Sequence, residues 1–275
     1  MLKQRLLVAL ILIPLFLAAL FLLPQWAWAA LLGAVVLLAA HEWARLSGFG
    51  PGWERAYLTV TALILAACYH LLETGAALTR TLALLATLFW LGVAPLWLAG
   101  GWRAEGRLLR MLTGWLLLVP TWVALLELRL IGPGLVLFVM GLIWLADSAA
   151  YFAGHRWGRR KLAPRISPGK TWEGVAGALG AGALLALLVG ASSPNLLLAG
   201  HGVPVPLLIA ACVFVVAVSV EGDLFESHIK RLAGVKDSSH LIPGHGGVLD
   251  RIDSQTAALP VFLLLALAYL GRLGN

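Results

Sequence analysis

The chain has 275 residues, 61% of them hydrophobic and only 12% charged, where soluble domains run roughly 45–50% and 25%. That composition excludes a soluble globular domain and points to a polytopic, all-α membrane protein. The net charge of +7 is therefore not a nucleic-acid signal, and its placement about a bilayer carries the information.

The first apolar span is Leu6–Leu23, preceded by Lys3 and Arg5. Ala27-Trp28-Ala29 has a cleavage-like spacing, but the apolar run is long for a signal peptide, whose core is usually about 7–15 residues. The second span, Pro24–Leu46, ends in His41-Glu42-Trp43. Trp43 reads as an interfacial anchor; Glu42 is either an interface residue or a supporting partner of a site elsewhere. A Gly/Pro-rich turn at 47–55 leads to spans Ala56–Leu72 and Thr81–Ala99. Arg103, Arg107 and Arg110 then recur at helical spacing, as a cationic stripe at headgroup level or as a solvated loop.

Spans five and six are Leu112–Leu128 and Gly134–Phe152. Asp147 and Tyr151 lie one turn apart on the sixth. A lone Asp in hydrocarbon is costly, so Asp147 should face a polar cavity or a cation. Residues 154–172 form a polar island with six cations. Gly169-Lys170-Thr171 is not a P-loop, because Pro164 occupies the first glycine position. Ser167 or Thr171 can cap the next helix, whose free N–H groups and Lys170 would form an anion site.

The seventh span, Glu173–Gly190, carries Gly174, Gly177, Ala178, Ala181 and Gly182, which permit close helix approach. Span eight is Val205–Ser227 and span nine Arg251–Leu270. Cys68 and Cys212 fall inside apolar spans and read as buried apolar side chains, with no support for a disulfide or zinc site. The organisation expected is an N-terminal group of helices over 1–100 and a catalytic region over 101–275, with polar loops at 154–172 and 228–250.

Nine spans with the N-terminus inside leave only Arg80, Arg129 and Arg272 outside; the other 17 of 20 Lys and Arg lie inside. The positive-inside rule thus puts both polar islands in the cytoplasm.

The second island is the denser in chemistry. Asp223, Glu226, Ser227 and Lys230 form one stripe at the end of helix eight. Asp250 and Asp253 begin helix nine, where the dipole favours carboxylates. A divalent ion shared by Asp223 and Asp250, with Asp253 nearby, would join the two helix ends; Mg²⁺ suits one or two carboxylates plus phosphate oxygens and water. Asp223 could instead pair with Lys230 or Arg231. Carboxylates for metal, cations for phosphate and a Gly244–Gly247 run for close backbone approach are the parts of a phosphoryl-transfer site.

Residues 227–253 resemble the signature of phosphatidate cytidylyltransferases, S-x-x-K-R-x-x-x-x-K-D followed by H-G-G-x-x-D-R-x-D. The matching residues are Ser227, Lys230-Arg231, Lys236-Asp237, His245-Gly246-Gly247, Asp250-Arg251 and Asp253. Ser167-Pro168-Gly169-Lys170-Thr171-Trp172-Glu173-Gly174 resembles a second element of the same family.

The resemblance implies that CTP and phosphatidic acid give CDP-diacylglycerol and pyrophosphate, at a multi-pass enzyme of a bacterial inner membrane facing the cytoplasm. Under it, Lys230, Arg231, Lys236, Asp237, His245 and Arg251 serve catalysis. Ser167, Lys170, Thr171, Ser227, Gly246, Gly247, Asp147 and Tyr151 bind substrate. Asp223, Asp250 and Asp253 hold Mg²⁺, with Asp237 and Asp253 near a second cation. A homodimer is a family-level implication, and no nucleic acid is expected. The rival readings are an ion-coupled transporter using Asp147 and Asp223 as relays, a CTP-dependent enzyme of another lipid, and a basic membrane-assembly protein.

Overall fold

The structure is a computed structural model that describes residues 2–72, 77–103, 105–192, 202–242, 244 and 246–273. In chain order it contains α1 (Leu2–Leu22), α2 (Gln25–Leu46), α3 (Pro51–Leu72), α4 (Ala77–Leu88), a π-helical turn (Phe89–Val93) and α5 (Ala94–Gly100). There follow α6 (Arg107–Ile131), α7 (Pro133–Trp157), β1 (Lys161–Ala163), β2 (Ser167–Thr171), α8 (Trp172–Ser192), α9 (Val205–Leu232) and α10 (Leu249–Leu273). Among the described residues, eight helical stretches are long and apolar enough to cross a membrane. Eight of the nine expected spans fall on these, the fourth being shared by α4, the π turn and α5; the expected first span lies on α1, where the described apolar stretch is the shorter Ile13–Leu22.

The helices outrun the apolar spans at their polar ends. α7 continues to Trp157 and α9 to Leu232, which carries Lys230 and Arg231 into the last helical turn. Cations there complement the negative end of the helix dipole. At 103–110 the two alternatives divide: Arg107 and Arg110 lie in α6, while Arg103 precedes it outside any regular element and is exposed. Residues 161–171 add an antiparallel hairpin, pairing Lys161 with Thr171 and Ala163 with Ser167.

Two packing devices position the site. The small residues of α8 let α7 and α9 close in, as their spacing suggests. A Cβ on Gly177 would lie 2.5 Å from Ala153 Cβ, and one on Gly182 3.0 Å from Val216. In the same way Gly222 lets α9 meet α10, where a Cβ would come within 2.7 Å of the Asp253 carbonyl. The second device is aromatic. Phe225 of α9 sits edge-on to Phe89, Trp90 and Trp97, with centroids 5.4–5.6 Å apart, a favoured geometry for ring quadrupoles. Trp90 Nε1 also donates to the Thr256 carbonyl at 3.0 Å, so the π turn, α9 and α10 are tied together.

At the opposite end of the molecule Arg129 closes the α1–α2 turn. Its Nε donates to the Leu20 carbonyl at 2.8 Å, a second nitrogen to Leu23 and a third to Gln25 Oε1, while the guanidinium lies over Trp28. These bonds satisfy carbonyls that the end of a helix leaves without partners. Cys68 and Cys212 are free and buried.

Candidate active site

A cavity of about 660 Å³ opens where α7, α8, α9, α10 and the hairpin meet. α7 contributes Asp147, Tyr151 and His155; the hairpin contributes Lys161, Ser167, Lys170 and Thr171; α9 contributes Asp223; α10 contributes Asp250, Arg251 and Asp253. The two polar islands, separated in sequence by an apolar helix pair, therefore share one chamber.

Local bonds hold the hairpin in place. Thr171 Oγ1 accepts the Gly174 N–H at 3.1 Å, so Thr171 rather than Ser167 caps α8. Glu173, in the first turn of α8, accepts the N–H groups of Arg159 and Arg160. Gly174 is required where α7 and α8 cross, because a Cβ would come 2.9 Å from the Ala150 carbonyl. Lys170 is thereby aimed across the chamber, and its ammonium lies 2.5 Å from Asp223 Oδ2. Ser227 Oγ donates to the other oxygen of Asp223 at 3.3 Å. Tyr151 and His155 stack at the mouth with nearly parallel rings.

Asp250 has a different environment. Its Oδ1 takes the Lys230 ammonium at 2.6 Å, and its Oδ2 accepts Ser238 N–H, Ser238 Oγ–H and Gly247 N–H at 2.8–2.9 Å. Lys230 also lies 3.4 Å from Glu226. Glu226 is 5% exposed, and its oxygens accept no hydrogen bond among the described residues.

A second carboxylate holds the same loop from far away in the chain. Glu42, only 1% exposed, accepts Ser239 Oγ–H at 2.6 Å and Val248 N–H at 2.9 Å on Oε1. Its Oε2 takes Leu249 N–H at 2.7 Å and lies 3.0 Å from Ser238 Oγ, whose one proton it shares with Asp250 Oδ2. Glu42 and Asp250 between them occupy the N–H groups of Gly247, Val248 and Leu249. The start of α10 is therefore capped from within. The glycines serve this closure: a Cβ on Gly247 would lie 2.5 Å from the Glu42 carboxylate and 2.1 Å from Ser238 Oγ, and one on Gly246 2.7 Å from Asp250. Gly246 also adopts φ +81°, a left-handed conformation natural to glycine.

The cavity thus gathers Asp147, Tyr151, Ser167, Lys170, Thr171, Asp223, Asp250, Arg251 and Asp253 from the residues expected by sequence. Lys230 and Ser227 stand behind it, bonded to Asp250 and Asp223. Arg231 instead bonds the Ile166 and Val235 carbonyls, tying the hairpin turn to the end of α9. Lys236 and Asp237 are exposed on the neighbouring loop. His245 lies outside the described residues. Lys161 and Ser238 were not singled out by sequence; Lys161 had the signal of a cation-rich loop, and Ser238 had none beyond its place in the motif.

Carboxylates outnumber cations on the wall of the cavity, and Asp147 feels the charges of Asp223 and Asp253 against those of Lys170 and Arg251. Among the described residues no three His, Cys, Asp or Glu converge as a complete metal cage. Asp250 has both oxygens engaged. Asp223 has a cation already seated on it, the Lys170 ammonium, and Glu226 has oxygens without hydrogen bonds beside Lys230. Such a set fits an ion that takes one or two carboxylates and completes its shell with substrate oxygens and water.

A profile of the cytidylyltransferase family matches residues 3–269. The phosphatidate cytidylyltransferase of Pseudomonas aeruginosa is 46% identical over 273 residues, covering 96% of this chain and 97% of that protein. The protein of the same name from Haemophilus influenzae is 41% identical over 282 residues, covering 95% and 97%. That of Bacillus subtilis is 42% identical over 133 residues, covering 48% of this chain and 47% of its own length.

Proposed function

The chain belongs to the cytidylyltransferase family, and from that premise we propose that it transfers the cytidylyl group of CTP to phosphatidic acid, forming CDP-diacylglycerol and pyrophosphate. The observation that carries this reading is the shared chamber: cations from the hairpin and α10 face carboxylates from α7, α9 and α10 across about 660 Å³.

A phosphatidate oxygen attacks the α-phosphorus of CTP, and the bond from that phosphorus to the bridging oxygen of the β-phosphate breaks. The attacking phosphate is already anionic near neutral pH, its second pKa being about 6, so alignment and charge neutralisation are the main tasks. Lys161, Lys170 and Arg251 line the cavity and bind phosphate oxygens; Tyr151 and Ser167 flank them. Lys230 keeps Asp250 charged and fixed, which sets the start of α10 and so the direction of Arg251. Asp223 and Asp253 would hold Mg²⁺, with Glu226 beside them. That ion supplies screening between the two polyanions. With an ion held on Asp223, Lys170, which now pairs with that carboxylate, would be free to bind phosphate oxygens.

The proposal includes an inner-membrane location with the cavity facing the cytoplasm, supported by the distribution of Lys and Arg, and the homodimer that the family resemblance implies. The test is purified protein, labelled CTP, phosphatidate and Mg²⁺, with the lipid product identified by mass. A lipid carrying the cytidylyl group is the expected result. A phosphorylated lipid with release of CDP would instead assign a kinase, and vesicle flux without a nucleotide-linked lipid would assign a transporter.

A further inference from the structure

Pro260 lies inside α10. A proline has no amide hydrogen, and its ring presses on the carbonyl four residues back; here that carbonyl belongs to Thr256. Thr256 is 4% exposed, and within a bilayer such a group must find its donor in the protein. The donor comes from another helix. Trp90 Nε1 reaches the Thr256 carbonyl at 3.0 Å. Thr121 Oγ1 lies 3.4 Å from the same oxygen, but its one proton is shared with the Leu117 carbonyl at 2.6 Å, which leaves the indole as the principal donor. Trp90 is fully buried and stands in the π turn, a local widening of a kind that recurs at functional sites.

The contact is relayed to the active site. Thr256 Oγ1 donates to the Asp253 carbonyl at 2.7 Å. Gly222 of α9 meets that same carbonyl, at the close approach described above. Two hydrogen bonds therefore lead from Trp90 to a residue that lines the cavity. On the far side of Arg251 and Asp253, Glu42 and Asp250 hold the Gly247, Val248 and Leu249 N–H groups. The start of α10 is thus fastened from both sides by residues of the first hundred: Glu42 before it and Trp90 after it. Among the described residues, none of the first hundred lines the cavity itself.

We propose that Trp90 is a positioning residue of the transfer reaction: its N–H, by taking the carbonyl that Pro260 leaves without a partner, sets the angle at which the first turns of α10 present Arg251 and Asp253 to the substrates. Because proline interrupts the hydrogen-bond ladder here, that angle is fixed by what holds the free carbonyl and not by the helix alone. The role in turnover rests on the cytidylyl-transfer reading; the hold on α10 does not.

Hydrogen exchange of the purified full-length protein, followed over residues 249–259, tests the hold without substrate. Trp90→Phe keeps a ring but loses the donor, and should raise exchange there about tenfold, the scale of one buried acceptor left unpaired. In a Pro260→Ala background the amide at 260 can take the Thr256 carbonyl, so adding Trp90→Phe should change exchange by less than about twofold. Turnover should follow the same cycle: Trp90→Phe lowers kcat about tenfold with proline at 260, and less than about twofold further with alanine there. Lost packing alone would cost the same in both backgrounds, so equal effects would overturn the proposal.

Trp97→Phe trims the same aromatic cluster around Phe225, and should leave both exchange over 249–259 and kcat near the wild-type values; a loss equal to that of Trp90→Phe would also overturn the proposal. If Trp90→Phe does not fold, Pro260→Ala decides alone. Closing the ladder turns the start of α10 away from its set angle, so kcat should fall about tenfold while the melting temperature is kept; a normal kcat would overturn the proposal. A wild type that makes no cytidylyl lipid, with the exchange cycle as expected, would overturn the proposed reaction and leave the hold of Trp90 on α10 standing.

Discussion

Glu42 and Leu249 are 207 positions apart, yet the Leu249 N–H donates to the Glu42 carboxylate at 2.7 Å. A buried carboxylate that accepts four donors cannot be exchanged for an amide without setting an NH₂ group against N–H or O–H donors. Glu42→Gln should lower stability by about 1–3 kcal/mol and reduce turnover at least tenfold. The loop around Ser239 should become open to protease, while CTP binding changes less than turnover. Thermal unfolding in detergent, limited proteolysis and steady-state kinetics check this; a variant with normal turnover and a protected loop would remove Glu42 from the site's support.

Asp223 and Asp250 should respond differently to the same change. Asp223 faces the cavity with Lys170, so Asp223→Asn should nearly abolish turnover and leave the melting temperature close to that of the wild type. Asp250 is half of a buried pair, and breaking one costs about 3–5 kcal/mol. Asp250→Asn should therefore lose both turnover and stability. Equal stability of the two variants in a calorimetric scan would contradict the burial of the Lys230–Asp250 pair.

Lys170 touches Asp223 and belongs, in the reaction, to phosphate. Lys170→Ala should reduce kcat/KM by about ten- to a hundredfold, equivalent to roughly 1.5–3 kcal/mol, with the fold intact. An unchanged kcat/KM for both substrates would leave the hairpin as a determinant of topology alone.

Both native cysteines are buried, so the wild type gives a silent background for thiol labelling. Cysteines placed at Arg159 and His240, both exposed, should resist an impermeant thiol reagent in intact cells and react after permeabilisation. Labelling in intact cells would reverse the proposed orientation.

The membrane-spanning helices were legible because a run of apolar residues is a local signal, and the polar stripes were legible because helical spacing places residues 223, 226, 227 and 230 on one face. The hairpin was not. Its strands of three and five residues are charged and contain Pro168 and Gly169, so they show no alternation. The loop's real partners were hidden for another reason. The Gly244–Gly247 run suggested close backbone approach to a ligand; the Gly247 N–H instead meets Asp250, three residues on, and the next two N–H groups meet Glu42, on the second helix. Arg231 illustrates the same limit: its spacing suits phosphate, but the hairpin turn brings the Ile166 carbonyl within 3.3 Å.

The distance in sequence between Glu42 and its partners also has a consequence for biogenesis. At roughly 5–20 residues per second of synthesis, Glu42 leaves the ribosome on the order of 10–40 s before Leu249 does. During that interval the end of α2 holds a carboxylate whose final donors do not yet exist. It must wait in the wet headgroup layer, and α2 can settle to its final depth only when the last helix has been inserted. Chains that stop before α10 lack the Val248 and Leu249 N–H groups that this carboxylate accepts.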